Sequence, residues 1–166
     1  MFKKILVAIA VVFPMLAAAQ TIKIGVVDSQ KIIPEMAAYK TAMTELEATD
    51  KKYKDEYMKL TTEAQKKYEE FQALAADTPA AVKERRAKEL DEFSQKLAEF
   101  EQMYNADMAK QRDAKIQPVM NEVMTAIQAV GKEGGFSLIQ DAGAVLYYGG
   151  SAENITDLVK ARLGVK

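Results

Sequence analysis

The sequence predicts an α+β, mostly α chain in which a long antiparallel coiled-coil helical hairpin projects from a small β-rich oligomerisation body. Three observations carry that expectation. Apolar residues recur at helical spacing over about ninety residues, a turn-former and a proline interrupt them once, in ALAADTPAAVKE (residues 73–84), and strand-like runs lie at both ends. Glycine and proline are scarce, 8 and 4 in 166 residues, which favours long regular elements over a loop-rich scaffold.

The N-terminus MFKKILVAIAVVFPMLAAAQ joins Lys3 and Lys4 to an apolar run over residues 5–16, broken by Pro14, and then to Ala17, Ala18 and Ala19. Basic, apolar and small-residue regions in that order are what a signal peptidase reads, so residues 1–19 are expected to be a secretory signal cleaved after Ala19. The run is short for a bilayer span. No cysteine stands at the cleavage point, which excludes lipid anchoring there. Cleavage leaves 21 basic against 24 acidic residues, a net charge of −3, so a large basic field for nucleic acid is absent.

In TIKIGVVD, Ile22, Ile24 and Val26 alternate with Lys23, Gly25 and Val27, the period of a strand. Asp28 and Ser29 can cap a short helical turn through Ile33, and Pro34 suits the first turn of a new helix, where its missing N–H costs nothing. From Glu35 to Ala76 the helical stripe is Tyr39, Met43, Leu46, Tyr53, Tyr57, Leu60, Ala64, Tyr68, Phe71 and Ala75, with Asp50 in one slot. It resumes after Ala80 as Val82, Leu90, Phe93, Leu97, Phe100, Tyr104 and Met108, with Arg86 filling one place, and runs on through Ile116, Met120, Val123, Ile127 and Val130. So narrow a stripe suits a two-helix seam.

Antiparallel helices folded about one turn must pair residues whose numbers add to a constant. Ala75 with Val82, Phe71 with Arg86, Ala64 with Phe93, Leu60 with Leu97, Tyr57 with Phe100 and Tyr53 with Tyr104 all give 157, while Tyr68 with Leu90 and Asp50 with Met108 give 158. The fold then falls at Thr78 and Pro79. Asp77 or Thr78 can cap the returning helix and Pro79 can start it. Helices of about 40 residues rising about 1.5 Å each make an arm of roughly 60 Å. Four-residue steps in the seam, at Ala64 to Tyr68 and through Arg86, should leave its distal part fairly straight.

Pro118 is expected to kink or locally open the returning helix, and Gly131 with Gly134 and Gly135 to end it. Strands are expected over residues 136–140 and 144–148, around the turn Asp141, Ala142, Gly143. A short closing helix follows, with Thr156 as N-cap and Gly164 as stop. Residues 20–39 and 131–166 thus form the association body, and residues 40–130 the arm, with its tip near 77–80. Three short strands and one helix are close to the minimum that folds unaided, and apolar open edges invite a second chain. Ile22, Ile24, Val26, Val145, Leu146 and Tyr147 are the residues expected to join copies.

Chemistry is short of parts. With no cysteine and no histidine the chain lacks thiol nucleophiles, the usual zinc ligands and a group titrating near neutral pH. Gly131, Lys132, Gly134 and Gly135 lack phosphate-loop spacing, and Asn154-Ile155-Thr156 is a chance glycosylation pattern. Adjacent acids such as Glu69 and Glu70 diverge by about 100° on a helix and make no dyad. No enzyme activity, metal or cofactor is expected. Residues 40–115 mix 15 basic and 17 acidic side chains, a solvated helix face. Tyr53, Met58, Tyr68, Phe71 and Met103 are the candidates for contact with an unfolded client chain, since one facing helix leaves such groups partly uncovered and methionine adapts its shape.

The segments IGVVDSQKIIPE and GFSLIQDAGAVLYYGG, the closing NITDLVKARL and the charged hairpin between them resemble the OmpH/Skp family of periplasmic chaperones. The resemblance is sharpest over residues 22–36 and 136–163. It implies a homotrimer shaped like a jellyfish, whose β body carries three arms that hold unfolded outer-membrane proteins without ATP. Family members of this kind are typified by a strongly basic protein, whereas this mature chain is mildly acidic, which leaves contact with lipopolysaccharide or membrane open. A structural or adaptor coiled-coil hairpin of an envelope complex is the alternative, and it would need a fixed docking partner at the tip.

Overall fold

The computed structural model describes residues 22–165. The signal expected over residues 1–19 lies outside them. Strand β1 (Ile24–Val27) is central in a three-stranded sheet of order β2-β1-β3, with β2 (Leu138–Asp141) and β3 (Ala152–Asn154) both parallel to it. Ile24 lies opposite Leu138 on one side and Ala152 on the other, and Val27 opposite Asp141. The two ends of the chain therefore make one sheet, and everything between them is crossover.

Asp28 caps α1 (Ser29–Ile32) by accepting from the Lys31 N–H, as its position after a strand suggested. A 3-10 turn over Ile33–Glu35 takes Pro34 in its first positions. Helix α2 (Ala37–Gln72) goes out and α3 (Ala80–Gly134) returns, about 54 Å and 80 Å long at the usual rise. Helix α4 (Thr156–Arg162) closes the chain.

The core sits at the root. Val27, Ile32, Met36, Val119, Val123, Ala126, Val130, Ile155 and Val159 form one buried cluster, with Ile32, Ile155 and Val159 fully enclosed. The root of α3 is thus a wall of the body. Farther out the burial fades: α2 buries only Ala42, Leu46 and Leu60, and α3 buries nothing over residues 80–118.

Several local expectations are corrected. Residues 144–148 form no strand. Asp141 accepts from the Gly143 N–H at 2.8 Å and tightens a 3-10 turn over Ala142–Ala144, and the place beside β1 goes to β3, because the Ile155 N–H donates to the Val26 carbonyl and drops the Ile155 side chain into the core. Strand β2 is Leu138–Asp141 rather than residues 136–140, because Phe136 belongs to the helix end: its N–H bonds the Gly131 carbonyl while Gly135 takes φ 65°, the closing pattern of a Schellman cap. Gly131 is no terminator. It is buried inside α3, where an added Cβ would lie 2.9 Å from Ile139 Cδ1.

Pro118 does not interrupt α3. It and Ala114 are exposed, so the carbonyl that loses its donor can turn to water. The outgoing helix ends at Gln72, not Ala76, because residues 73–79 are consumed in turning. Neither Asp77 nor Thr78 caps α3: the Pro79 carbonyl takes the N–H groups of Val82 and Lys83, which makes Pro79 the N-cap. Thr156 is the first residue of α4 rather than its cap, and its hydroxyl instead accepts the Asp28 N–H at 3.0 Å, tying α4 to the end of β1.

Candidate functional site

The arm is held by rings at its middle. Tyr53 packs edge-on against Phe100 and Tyr104 at centroid distances of 6.0 and 5.4 Å, and Tyr57 lies tilted over Phe100 at 6.1 Å. These contacts follow from the seam register, which brings the aromatic slots of α2 opposite those of α3.

Each hydroxyl in the cluster crosses to the other helix. Tyr53 donates to Asp107 at 2.8 Å, Tyr57 to Glu101 at 2.7 Å and Tyr104 to Asp50 at 2.6 Å. The carboxylates raise the pKa of all three phenols above the ordinary tyrosine value. In return, Asp50 is lowered by its hydrogen bond from Lys54 and then by Tyr104, and Asp107 by Tyr53 and then by Gln111. Beside the rings an opening of about 310 Å³ is lined by Tyr53, Tyr57, Phe100 and Tyr104, with Lys54 and Glu101 at its charged edge.

The five arm candidates do not converge on one site. Met58, Tyr68 and Met103 are exposed, Tyr53 and Phe71 half-buried, and they are strung along the arm rather than gathered. Distally, Lys67 and Lys96 lie over the Phe93 ring at 5.6 and 5.2 Å, so basic side chains there cover an aromatic face. The residues expected to join copies divide. Val26 is buried in the sheet of its own chain, Ile24 and Val145 are half-buried, and Ile22, Leu146 and Tyr147 stand in solvent, Leu146 completely so.

Two features escaped the sequence reading. Tyr57, Phe100 and Tyr104 were legible as seam but not as the wall of a pocket, which needs their crossing hydrogen bonds. Met124, which the reading did not name, and Met120, which it placed in the apolar stripe, are both exposed on the root of α3, because the buried face there is Val119, Val123 and Ala126. Their four-residue spacing was the available signal. Among the described residues no cluster of metal-ligating side chains occurs, and no helix is long and apolar enough to cross a membrane.

The family model for OmpH, outer membrane protein (OmpH-like), matches residues 23–163, from just before β1 to just past α4. The chain belongs to the OmpH family. Proteins similar to it include the chaperone protein Skp of Yersinia enterocolitica, 24% identical over 148 residues that span 87% of this chain and 88% of that protein. The chaperone protein Skp of Photorhabdus laumondii is 28% identical over 141 residues, 82% of each. Among solved structures, an OmpH-like protein of Caulobacter crescentus superposes with a TM-score of 0.71. That match covers 86% of this chain and 83% of the other at 18% identity, so it speaks to the OmpH fold alone.

Proposed function

We propose that this chain is an ATP-independent periplasmic holdase, exported by cleavage after Ala19, that keeps unfolded outer-membrane proteins from aggregating by enclosing them between helical arms. The single observation that carries this is a 55-residue helix and its 36-residue partner joined by a seam that leaves most of both surfaces in solvent, with Met58, Tyr68 and Met103 uncovered on an otherwise charged face. Scattered, adaptable apolar groups give many shallow contacts and no deep one. A client held in that way can leave when its own folding competes, without nucleotide. The Skp relatives, matched over 88% and 82% of their length, support the same assignment.

Arms need a base; the proposed division makes residues 20–39 and 131–166 the body and 40–130 the arm, with the arm's root packing Val119, Val123, Ala126 and Val130 into the body's core. The proposed base is a homo-oligomer, a trimer by family resemblance. Strand β1 is flanked on both sides, whereas the outer edges of β2 and β3 have no partner strand among the described residues. Residues 145–148 are β-prone, carry exposed Leu146 and Tyr147, and join no strand ladder among the described residues, which favours a strand completed by a neighbouring copy.

The experiment dilutes a urea-unfolded outer-membrane β-barrel protein into nucleotide-free buffer containing the mature chain. Light scattering should fall as the chain approaches stoichiometric amounts. Undiminished scattering by a chain of full helicity would contradict the proposal.

A further inference from the structure

The mid-arm opening is walled by four rings whose hydroxyls are already committed, with Lys54, Glu101 and the Asn105 amide completing its lining. The three phenolic protons go to Asp107, Glu101 and Asp50, so a guest meets ring carbon and carboxylate charge rather than an unused phenolic donor. The charges at the edge do not cancel. Lys54 is matched by Asp50 at 2.7 Å, whereas Glu101 takes its hydrogen bond from neutral Tyr57 and forms no ion pair among the described residues. Asp107, on the far side of Tyr53, likewise takes its hydrogen bonds from neutral groups, the Tyr53 hydroxyl and the Gln111 amide.

We infer that this pocket binds a cationic side chain, arginine foremost, presented by an unfolded polypeptide. Aromatic walls with uncompensated negative charge at the rim complement a guanidinium, which is planar, weakly hydrated, able to stack on rings and able to give parallel N–H donors to Glu101. A lysine ammonium is compact and strongly hydrated and uses such walls less well. The opening of about 310 Å³ suits one side-chain head and nothing larger than a short extended segment. That the polypeptide is a chaperone client rests on the function proposed above; the pocket's preference for the cation does not.

The test uses the full mature chain and a short glycine-serine peptide carrying four arginines. The same peptide with citrulline, equal in shape and uncharged, and with lysine are the comparisons. Binding is read from the NMR ring signals of Phe100 and Tyr57. Arginine should give saturable shifts, with citrulline at least about 10-fold weaker and lysine about 3-fold weaker. Glu101→Gln should weaken arginine binding about 3- to 10-fold, and so should Phe100→Leu, which keeps the seam apolar while removing the ring face. Equal binding of arginine and citrulline, or unchanged binding in Glu101→Gln, would overturn the assignment. If Phe100→Leu lowers helicity, Glu101→Gln alone decides, because that side chain is exposed and a glutamine oxygen still accepts the Tyr57 hydroxyl. No client is present, so arginine binding without aggregation suppression would remove the holdase function and leave the site standing.

Discussion

Tyr57 and Phe100 face one another across the arm with ring centroids 6.1 Å apart and planes inclined by 31°. Their numbers sum to 157, the constant that the apolar stripe requires, and the same constant brings Tyr53 to 5.4 Å from Tyr104. The hairpin is therefore one antiparallel seam at its middle, with its register set by ring packing and by hydroxyls that cross in both directions. Tyr57→Ala and Phe100→Ala should each lower the urea midpoint of helix unfolding. The double variant should lose less than the two single changes add, since each removes the other's partner; strict additivity in that cycle would show that the rings do not act together.

Acid should loosen the same region. Asp50 and Asp107 are held below the ordinary carboxylate value of 3.8 by hydrogen bonds made in the folded arm. A depressed folded pKa adds stability that is fully present above the unfolded value and is lost as pH falls through the folded one. Thermal midpoints should be flat from pH 7 to about pH 5 and decline below about pH 4. The pair Asp50→Asn with Asp107→Asn should start from a lower midpoint and decline less; an identical acid slope would place the sensitive groups elsewhere.

The body should be brittle where the arm is forgiving. Ile155 is fully buried between β1, α3 and α4 in the core cluster, so Ile155→Ala should cost about 3 kcal/mol in urea unfolding at fixed protein concentration. Gly135→Ala, forced into φ 65°, should cost about 1 kcal/mol. Met58→Ala, on the exposed arm, should leave stability unchanged within about 0.5 kcal/mol.

Exposed Leu146 and Tyr147 give the association proposal a direct handle. Leu146→Asp with Tyr147→Asp should shift sedimentation toward single copies while far-UV circular dichroism stays helical. An unchanged oligomer would remove residues 145–148 from the interface.

What was legible in the sequence was what periodicity and arithmetic encode. The seam register, the Asp28 cap, the return of the chain to its first strand and the family all follow from local spacing or from short segments such as IGVVDSQKIIPE. What was missed turns on competition between distant groups. The sequence of residues 144–148 is strand-like, but in a single chain β3 takes the edge of β1 because Ile155 has a core to enter. Thr156 has a capping side chain, but the Asp28 N–H claims it first. Gly131 resembles a stop signal and is instead the close approach of α3 to Ile139. The mid-arm pocket was hidden because seam residues and pocket walls are the same rings.

The central claim is that the hairpin does the holding while the body only gathers the arms. The direct measurement compares scattering by a urea-diluted outer-membrane β-barrel protein in the presence of the mature chain and of a variant lacking residues 50–108, with both proteins first sized by sedimentation. The account predicts that the shortened protein still forms the native oligomer and has lost its protection. Equal protection by the two, copy for copy, would contradict it.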